Sequence, residues 1–402
     1  MPLAASETHN SNRRRFLGGA IATVASAGRV LGANNRIRIG AIGTGARCQG
    51  LLGRLNQLGS NEIVAVCDVY EPNRLQAKAD RAPEARDYVD HREVLDRQDI
   101  DAVVVGTPDH WHVPITIDAV RAGKDVYCEK PVTHTIEEGQ PLIAAVRASK
   151  RVVQTGTQQR SWEHYTRARE VIQSGTLGQV TLIRTYWYQN HIAGQTGGPA
   201  IDVAKLDWRR FLGPVPDRPF DADQYAHWRW YWDFGGGAMT DLFVHWVDVA
   251  HWFMGEDMPS RATATGMRVL LPQRQTPDTM SAALSYPNTV VEFDSALLGY
   301  IEGGGIMFRG TKGAMRLHRS GFEVYEEVPG YTEAFEPPRP ILKAKSTQDG
   351  DINHMKNFLD CVRSRNTPNA PVEVGVAAAR AGHVANLALR GNGVWTPGSA
   401  RS

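Results

Sequence analysis

Four cysteines in 402 residues are too few and too scattered, at Cys48, Cys67, Cys128 and Cys361, to build a disulfide framework or a cysteine zinc site. They fall in strand-like or helix-like contexts and read as buried thiols. Excess charge is missing as well. The 45 Lys and Arg against 43 Asp and Glu leave a formal net charge of +2, which gives no reason to expect a nucleic-acid partner. No stretch after Ala33 is long and apolar enough to span a bilayer. His110, His112, His245 and His251 lack the repeated acid or cysteine spacing that zinc asks for, so no metal is expected. With 42% hydrophobic and 22% charged residues, the composition is that of an ordinary globular chain, long enough for two or more domains.

The first 33 residues stand apart. Asn12-Arg13-Arg14-Arg15-Phe16-Leu17 precedes a modest apolar run of small residues from Gly18 to Gly28, and Ala25-Ser26-Ala27 offers a small-residue cleavage site. The pattern resembles a twin-arginine export signal with Asn12 in place of the usual Ser or Thr. It implies export in the folded state, cofactor included, to the periplasm. The other reading is a basic arm.

Beyond the leader, Arg36 to Ile42 reads as a buried first strand running into Gly43-Thr44-Gly45-Ala46-Arg47-Cys48. Gly43 suits a tight turn, Gly45 a close approach of backbone to a pyrophosphate, and a helix expected from Gln49 would offer its first amides. Cys48 stands where a third glycine is usual, which implies a slightly wider helix–strand spacing. The next strand, Glu62 to Asp68, ends in an acid 23 positions after Gly45. A carboxylate there accepts from adenosine ribose hydroxyls and repels a 2′-phosphate, favouring NAD over NADP. Asp68 can equally cap the helix that follows.

Ala102 to Gly106 reads as a strand buried on both faces, ending at Thr107-Pro108-Asp109-His110-Trp111-His112. A helix over Val113 to Ala122 then leads to Val126-Tyr127-Cys128-Glu129-Lys130-Pro131. Strand, helix, strand implies a right-handed parallel crossover, so the Thr107-Pro108 and Lys130-Pro131 ends share one cleft. Pro131 restricts Lys130 to extended backbone.

These motifs resemble the glucose–fructose oxidoreductase/inositol dehydrogenase (Gfo/Idh/MocA) family from about Arg36 onward. The resemblance implies an N-terminal Rossmann NAD(P)-binding domain and an α+β domain with a large open, mainly antiparallel sheet. It places Glu129-Lys130-Pro131 at the family's Glu-Lys-Pro motif, with the lysine beside nicotinamide and substrate hydroxyl. It also puts Thr107, Pro108 and His112 along the cofactor, although a lone His112 reads equally as a structural histidine. Cofactor contacts are therefore expected at Gly43, Thr44, Gly45, Ala46, Arg47, Asp68, Thr107, Pro108, His112, Glu129 and Lys130.

After a helix over Ser161 to Gln173 the periodicity changes. Val180–Gln189, Ala262–Leu271, Met280–Tyr286, Thr289–Leu297, Met307–Arg309, Gly313–Leu317 and Phe322–Tyr325 read as strands without intervening helices, hence a mainly antiparallel sheet suited to a homo-oligomer interface. Seven of the ten tryptophans lie between residues 187 and 252, and His227 to Asp233 is too dense in them to be all core. Trp228, Arg229, Tyr231 and Asp233 are the substrate-binding candidates, flat faces for a sugar ring and polar edges for its hydroxyls. Gly235-Gly236-Gly237 should let backbone approach the cleft, and Asp241 and His245 share a helix face. Asp241, His245 and Asp248 match the family's pattern, with Phe243 where glycine is usual and able to narrow the pocket. The resemblance implies that Lys130, Asp241 and His245 form the catalytic group. Glu326 to Lys345 reads as a surface loop, and two C-terminal helices should pack back.

The organisation expected is a leader over residues 1–33, a dinucleotide domain over 34–157, a substrate and oligomerisation domain over 158–345 and C-terminal helices over 346–402. The activity expected is NAD-dependent hydride transfer at a sugar, polyol or glycoside hydroxyl carbon. His245, oriented by Asp241, would be the base with Lys130 polarising the oxygen, or the two roles would be exchanged. A redox-neutral NAD-dependent glycosidase or lyase acting through a transient keto-sugar needs the same residues.

Overall fold

Short apolar runs flanked by turns pair as six strands, Ile37–Ile42 (β1), Asn61–Cys67 (β2), Arg86–Tyr88 (β3), Ala102–Val105 (β4), Asp125–Cys128 (β5) and Val153–Thr155 (β6). All pair in parallel, in the order β3-β2-β1-β4-β5-β6. Every residue of β4 and β5 is buried, as strands covered by helices on both faces must be. The strand order reverses between β1 and β4, which opens a crevice beyond their carboxyl ends. The computed structural model describes residues 36–190, 200–330 and 338–398, so the leader expected over 1–33 lies outside the described residues.

At the crevice, Gly43 has a φ of 77° and a Cβ there would sit 2.6 Å from the Thr107 amide nitrogen, so only glycine fits. The helix after it begins at Ala46, three residues earlier than expected, with Gly45 as its cap. Where the third glycine is missing, the Cys48 side chain packs against a glycine of the neighbouring strand end. The space is supplied from the other side, by Gly106 at the end of β4, where an added Cβ would lie 2.9 Å from the Cys48 Cβ. All four cysteines are buried free thiols.

The second sheet has nine strands. They are Val180–Tyr188 (β7), Arg261–Met267 (β8), Thr279–Ser285 (β9), Val290–Ala296 (β10), Gly304–Gly310 (β11), Gly313–His318 (β12), Gly321–Glu326 (β13), Leu342–Lys345 (β14) and Val394–Trp395 (β15). Their order is β14-β13-β12-β11-β7-β10-β9-β8-β15. Only β7 and β10 pair in parallel, and the remainder is antiparallel. β14 corrects the expectation of a loop through Lys345. Its four residues add an edge to β13 too short, and too charged at Lys343 and Lys345, to announce themselves. Alternate residues of these strands, among them Ile183, Phe293, Phe308, Leu317 and Val324, form one core with Phe243, Trp246 and Phe253 of the helical segment before β8.

Two C-terminal helices tie the halves together. Gly350–Ser364 sets Met355, Phe358 and Leu359 against Leu51, Leu52 and Leu55 of the helix after β1. Val372–Arg390 is rich in Ala and Gly because it runs close to other backbone. A Cβ at Gly382 would lie 2.7 Å from the Met239 carbonyl oxygen, on the turn that carries Asp241.

The Gly106–Cys48 contact yields a stability test. Gly106→Ala places a methyl against the Cys48 Cβ and, at 3.2 Å, the Gly43 carbonyl oxygen, and overpacking of this kind costs about 1–3 kcal/mol. In urea unfolding the same substitution should cost clearly less when Cys48 is glycine. Equal costs in the two backgrounds would show that Cys48 does not set the spacing.

Candidate active site

β5 ends in Glu129 and Lys130, and the chain fixes the root of this lysine before its amine reaches the cleft. The buried Glu129 carboxylate accepts from Arg47 Nε at 2.7 Å through Oε1 and from the Lys130 amide at 3.2 Å through Oε2. Arg47 continues to Asp351 Oδ2 at 3.2 Å, joining the helix after β1 to the C-terminal helix Gly350–Ser364. The two cations beside Glu129 outweigh burial and hold its carboxyl below the usual range. Behind Lys130, the His112 ring spans two carbonyls, with Nδ1 2.7 Å from the Pro131 oxygen and Nε2 2.9 Å from that of Thr107. Burial lowers the His112 pKa, so the ring is neutral and donates to one of them. It links the loop after β4 to the segment after β5, the structural role that its sequence position left open.

The Lys130 amine crosses to the other half of the molecule. Its Nζ donates to Asp241 Oδ1 at 2.6 Å and to the Asp241 carbonyl oxygen at 2.8 Å, and Arg229 Nε donates to the same Oδ1 at 3.2 Å. Burial opposes ionisation of Asp241, but Lys130 and Arg229 dominate and keep its carboxyl far below the usual range. Asp241 lies on a π-helical turn, Met239–Phe243, which passes into the α-helix Val244–Met254 carrying His245. The expected Asp241–His245 hydrogen bond is absent among the described residues; the carboxylate is held through Oδ1 by Lys130 and Arg229. His245 is instead placed by Trp187, their rings 5.9 Å apart and inclined by 24°. Its Nδ1 is buried without a hydrogen-bond partner. Burial, then the charges of Lys130 and Arg319, push its pKa well down and keep the ring neutral.

One cleft of about 1130 Å³ contains these groups and runs from Gly43, Gly45, Ala46, Arg47 and Asp68 past Thr107, Pro108, His112 and Glu129 to Lys130, Asp241 and His245. Its size suits a dinucleotide with a substrate beside it. The residues fit NAD. A Cβ added at Gly45 would meet nothing within 4 Å, leaving open space beside the first helical amides. Asp68, ending the second strand of the crevice, is buried, with Oδ1 on the Tyr70 amide at 2.9 Å and Oδ2 on Asn73 at 3.4 Å. Burial pushes its carboxyl up to about 6 against these hydrogen bonds. Thr44 is fully buried with its hydroxyl unpaired and does not line the cleft.

Among the substrate candidates, Trp228 and Arg229 line the cleft, the guanidinium 4.3 Å above the indole. Tyr231 and Asp233 do not. Tyr231 is buried and donates to Asp223, and Asp233 pairs with Arg218 at 2.5 Å. Of the three glycines, Gly235 does approach the cleft lining, an added Cβ lying 3.0 Å from the Arg229 Cα and 3.2 Å from the Trp228 ring, whereas the other two face inward. A Cβ on Gly236 would lie 2.5 Å from Thr240 Oγ1, and one on Gly237 2.7 Å from the Thr276 Cβ. Phe243 stacks on Phe293 in the core and leaves the cleft unnarrowed. Asp248 holds Arg160 with two contacts of 2.9 Å, away from the cleft. Among the cleft residues not singled out from the sequence as site candidates are Gln158, Trp187 and Arg319. Arg319 sits in a hairpin turn with no motif around it, so no sequence signal marks it.

Comparison with known proteins agrees with this architecture. Residues 37–157 match the oxidoreductase family, NAD-binding Rossmann fold model of Gfo/Idh/MocA, and residues 165–316 match the Gfo/Idh/MocA C-terminal domain. Over 224 residues the chain is 28% identical to inositol 2-dehydrogenase from Salmonella typhimurium, a span of 55% of each chain, so the match takes in about half the length of this relative. In fold it resembles myo-inositol 2-dehydrogenase from Lactobacillus plantarum, with a TM-score of 0.67, 19% identity and coverage of 90% of this chain and 99% of that one. Levoglucosan dehydrogenase in complex with NADH and levoglucosan gives a TM-score of 0.69 at 18% identity, covering 90% and 100%. With both of its domains matched, this chain belongs to the Gfo/Idh/MocA family of oxidoreductases, and its first domain is that family's NAD-binding Rossmann fold.

Proposed function

We propose that this protein is an NAD-dependent dehydrogenase acting on a hydroxyl carbon of a sugar, polyol or glycoside. The observation that carries the reading is that a single cleft joins the dinucleotide crest at Gly43, Gly45 and Asp68 to the Lys130–Asp241 pair and His245. The inositol 2-dehydrogenase relatives support the substrate class.

The amides after Gly45 and the Asp68 carboxylate would hold NAD, which would supply the hydride acceptor when bound. The rest of the chemistry belongs to side chains. An ammonium has three donors; Lys130 directs two at Asp241 and keeps one for the substrate oxygen, where it polarises the hydroxyl and stabilises negative charge as the carbon is oxidised. His245, kept neutral and lining the cleft, takes the hydroxyl proton. Asp241 thus positions the lysine rather than the histidine. Trp228 and Trp187 offer apolar faces to a sugar ring, and Arg229 a polar edge.

Lys130→Met keeps most of the stem volume and deletes all three donors. It should retain NAD affinity within about twofold and lose on the order of a hundredfold in turnover at saturating substrate. Stopped-flow NADH formation reads the second quantity, and turnover near that of the wild type would remove Lys130 from the mechanism. Net NADH accumulation from a panel of polyols and glycosides also separates a dehydrogenase from a redox-neutral glycosidase or lyase.

Cofactor affinity should depend on pH through Asp68. Ribose hydroxyls donate best to the ionised carboxylate, so binding releases the proton of a group that titrates near 6 in its absence. Affinity for NAD should therefore be full above about pH 6 and weaken below it, by at most about tenfold per pH unit. In Asp68→Asn the dependence should vanish. A fluorescence titration showing the same pH profile for both proteins would exclude Asp68 from the ribose site.

Export to the periplasm is proposed from the Arg13-Arg14-Arg15 leader. Replacing the three arginines by lysine should retain the protein in the cytoplasm on fractionation, and an unchanged distribution would mark the segment as a basic arm.

A further inference from the structure

The reacting end of the cleft carries more positive charge than its own carboxylates balance. Lys130, Arg229 and Arg319 line it, and the ionised carboxylate among them is Asp241. Glu129 is committed to Arg47, and burial together with the nearby Asp241 charge pushes the Asp109 carboxyl well above the usual range. Arg319 is the unusual member. Other deeply placed guanidinium groups have an acid each, with Arg160 on Asp248, Arg47 on Glu129 and Arg274 on Asp223. Arg319 has no hydrogen bond or ion pair among the described residues, and its Nε is buried without a partner.

Its position is set by rigid parts. Arg319 and Ser320 are the two-residue turn between β12 and β13, whose last pair is His318 with Gly321. The His318 carbonyl lies 2.9 Å from His164 Nε2, pinning the turn to a neighbouring helix. The guanidinium lies 5.1 Å from the centroid of the Trp187 ring, the same ring that stacks on His245. A cation–π contact is worth about 0.5–2 kcal/mol and satisfies no N–H, so it does not replace the missing acceptor. Gln158, which also lines the cleft, has a buried Oε1 without a donor.

We infer that Arg319 is the acid-recognising arm of the substrate subsite, and that the substrate is a sugar or polyol carrying a carboxylate. This rests on the dehydrogenase reading above and narrows its substrate class. The planar guanidinium fork matches a carboxylate by two parallel hydrogen bonds. Lys130 and Arg229 already share Asp241, so Arg319 is the member of the three with no acid of its own, and a carboxylate matches it one for one. The same contact improves the base. The Arg319 charge is one of the causes that push the His245 pKa down, and a carboxylate placed on Arg319 cancels it just where the hydroxyl proton must be received. Neutral polyols lack this second effect, so they lose on both binding and turnover.

The test is calorimetric titration of NAD-saturated protein with matched sugars: D-glucuronate against D-glucose, D-galacturonate against D-galactose, and D-glucose 6-phosphate as the phosphate arm. NADH absorbance is recorded in the same mixtures. The wild type should bind at least one uronate ten times or more tighter than its neutral partner and tighter than the phosphate ester. Arg319→Met should erase that preference while NAD affinity stays unchanged, and Arg319→Lys should restore part of it. Equal binding of acid and neutral sugars, no binding of any uronate, a stronger response to the phosphate ester, or a uronate preference that survives in Arg319→Met would overturn the inference. The two readings fail separately. Uronate binding through Arg319 without NADH formation removes the dehydrogenase reading alone, whereas NADH formed from neutral sugars with no acid preference removes this inference alone.

Discussion

The fold converges on a contact across its two halves, the ammonium of Lys130 against the carboxylate and the carbonyl of Asp241. One partner ends a buried parallel strand and the other sits on a π-helical turn under an open antiparallel sheet. Removing two charges from water costs several kcal/mol per ion, and their attraction offsets this only when geometry and further hydrogen bonds are good. Here the lysine side chain is 13% exposed and the aspartate 17% exposed, and both have additional partners. A pair so placed contributes little to stability alone. It makes sense as a device that fixes where an amine stands relative to a cleft.

Much of the surrounding structure serves that placement. Glu129 and Arg47 anchor the root of the lysine, and Arg47 reaches Asp351 on a helix more than two hundred residues later in the chain. Gly382, by lacking a side chain, lets a second C-terminal helix press on the Met239 carbonyl at the base of the turn that bears Asp241. Both C-terminal helices thus act as struts. Their long-range contacts bring an end of the sequence with no chemistry of its own into the definition of the site.

These relations explain what was legible in the chain beforehand. The dinucleotide half could be read because its signals are local: a buried strand, a turn that only glycine tolerates at Gly43, an acid closing the next strand, and a lysine at a strand end. Asp241 and His245 were also visible, but their relation was not. Spacing by four places two residues on one helix face and says nothing of a stronger partner arriving from another domain. Tyr231 and Asp233 lay in an aromatic run that suggested a sugar platform, yet Asp223 and Arg218, close in sequence, claim them. The glycine run was read as close approach to the cleft, and Gly235 does press on the cleft residues Arg229 and Trp228, but Gly236 and Gly237 meet Thr240 and Thr276 instead. Arg319 gave no signal because its importance lies in a partner that it lacks, and an absent ion pair leaves no mark on the sequence.

The electrostatics then divide the labour of the site. In the proposed reaction the donor that Lys130 does not direct at Asp241 is held in place, so polarising an oxygen would require no reorganisation. Arg229 leans on the same Asp241 oxygen, so both cations hold the carboxylate through Oδ1 and no hydrogen bond runs from it to His245 among the described residues. His245 takes its position from an indole and its protonation state from its surroundings, with burial and the charges of Lys130, Arg319 and Arg47 outweighing the opposing charge of Asp241. A histidine whose pKa is pushed far down is reliably unprotonated but reluctant to accept a proton. The suppression is useful only if the reactive complex relieves part of it. Burial around His245 is fixed by packing and Lys130 is fixed by Asp241, so of the named causes the charge of Arg319, which has no partner of its own among the described residues, is the one that a bound molecule is best placed to change.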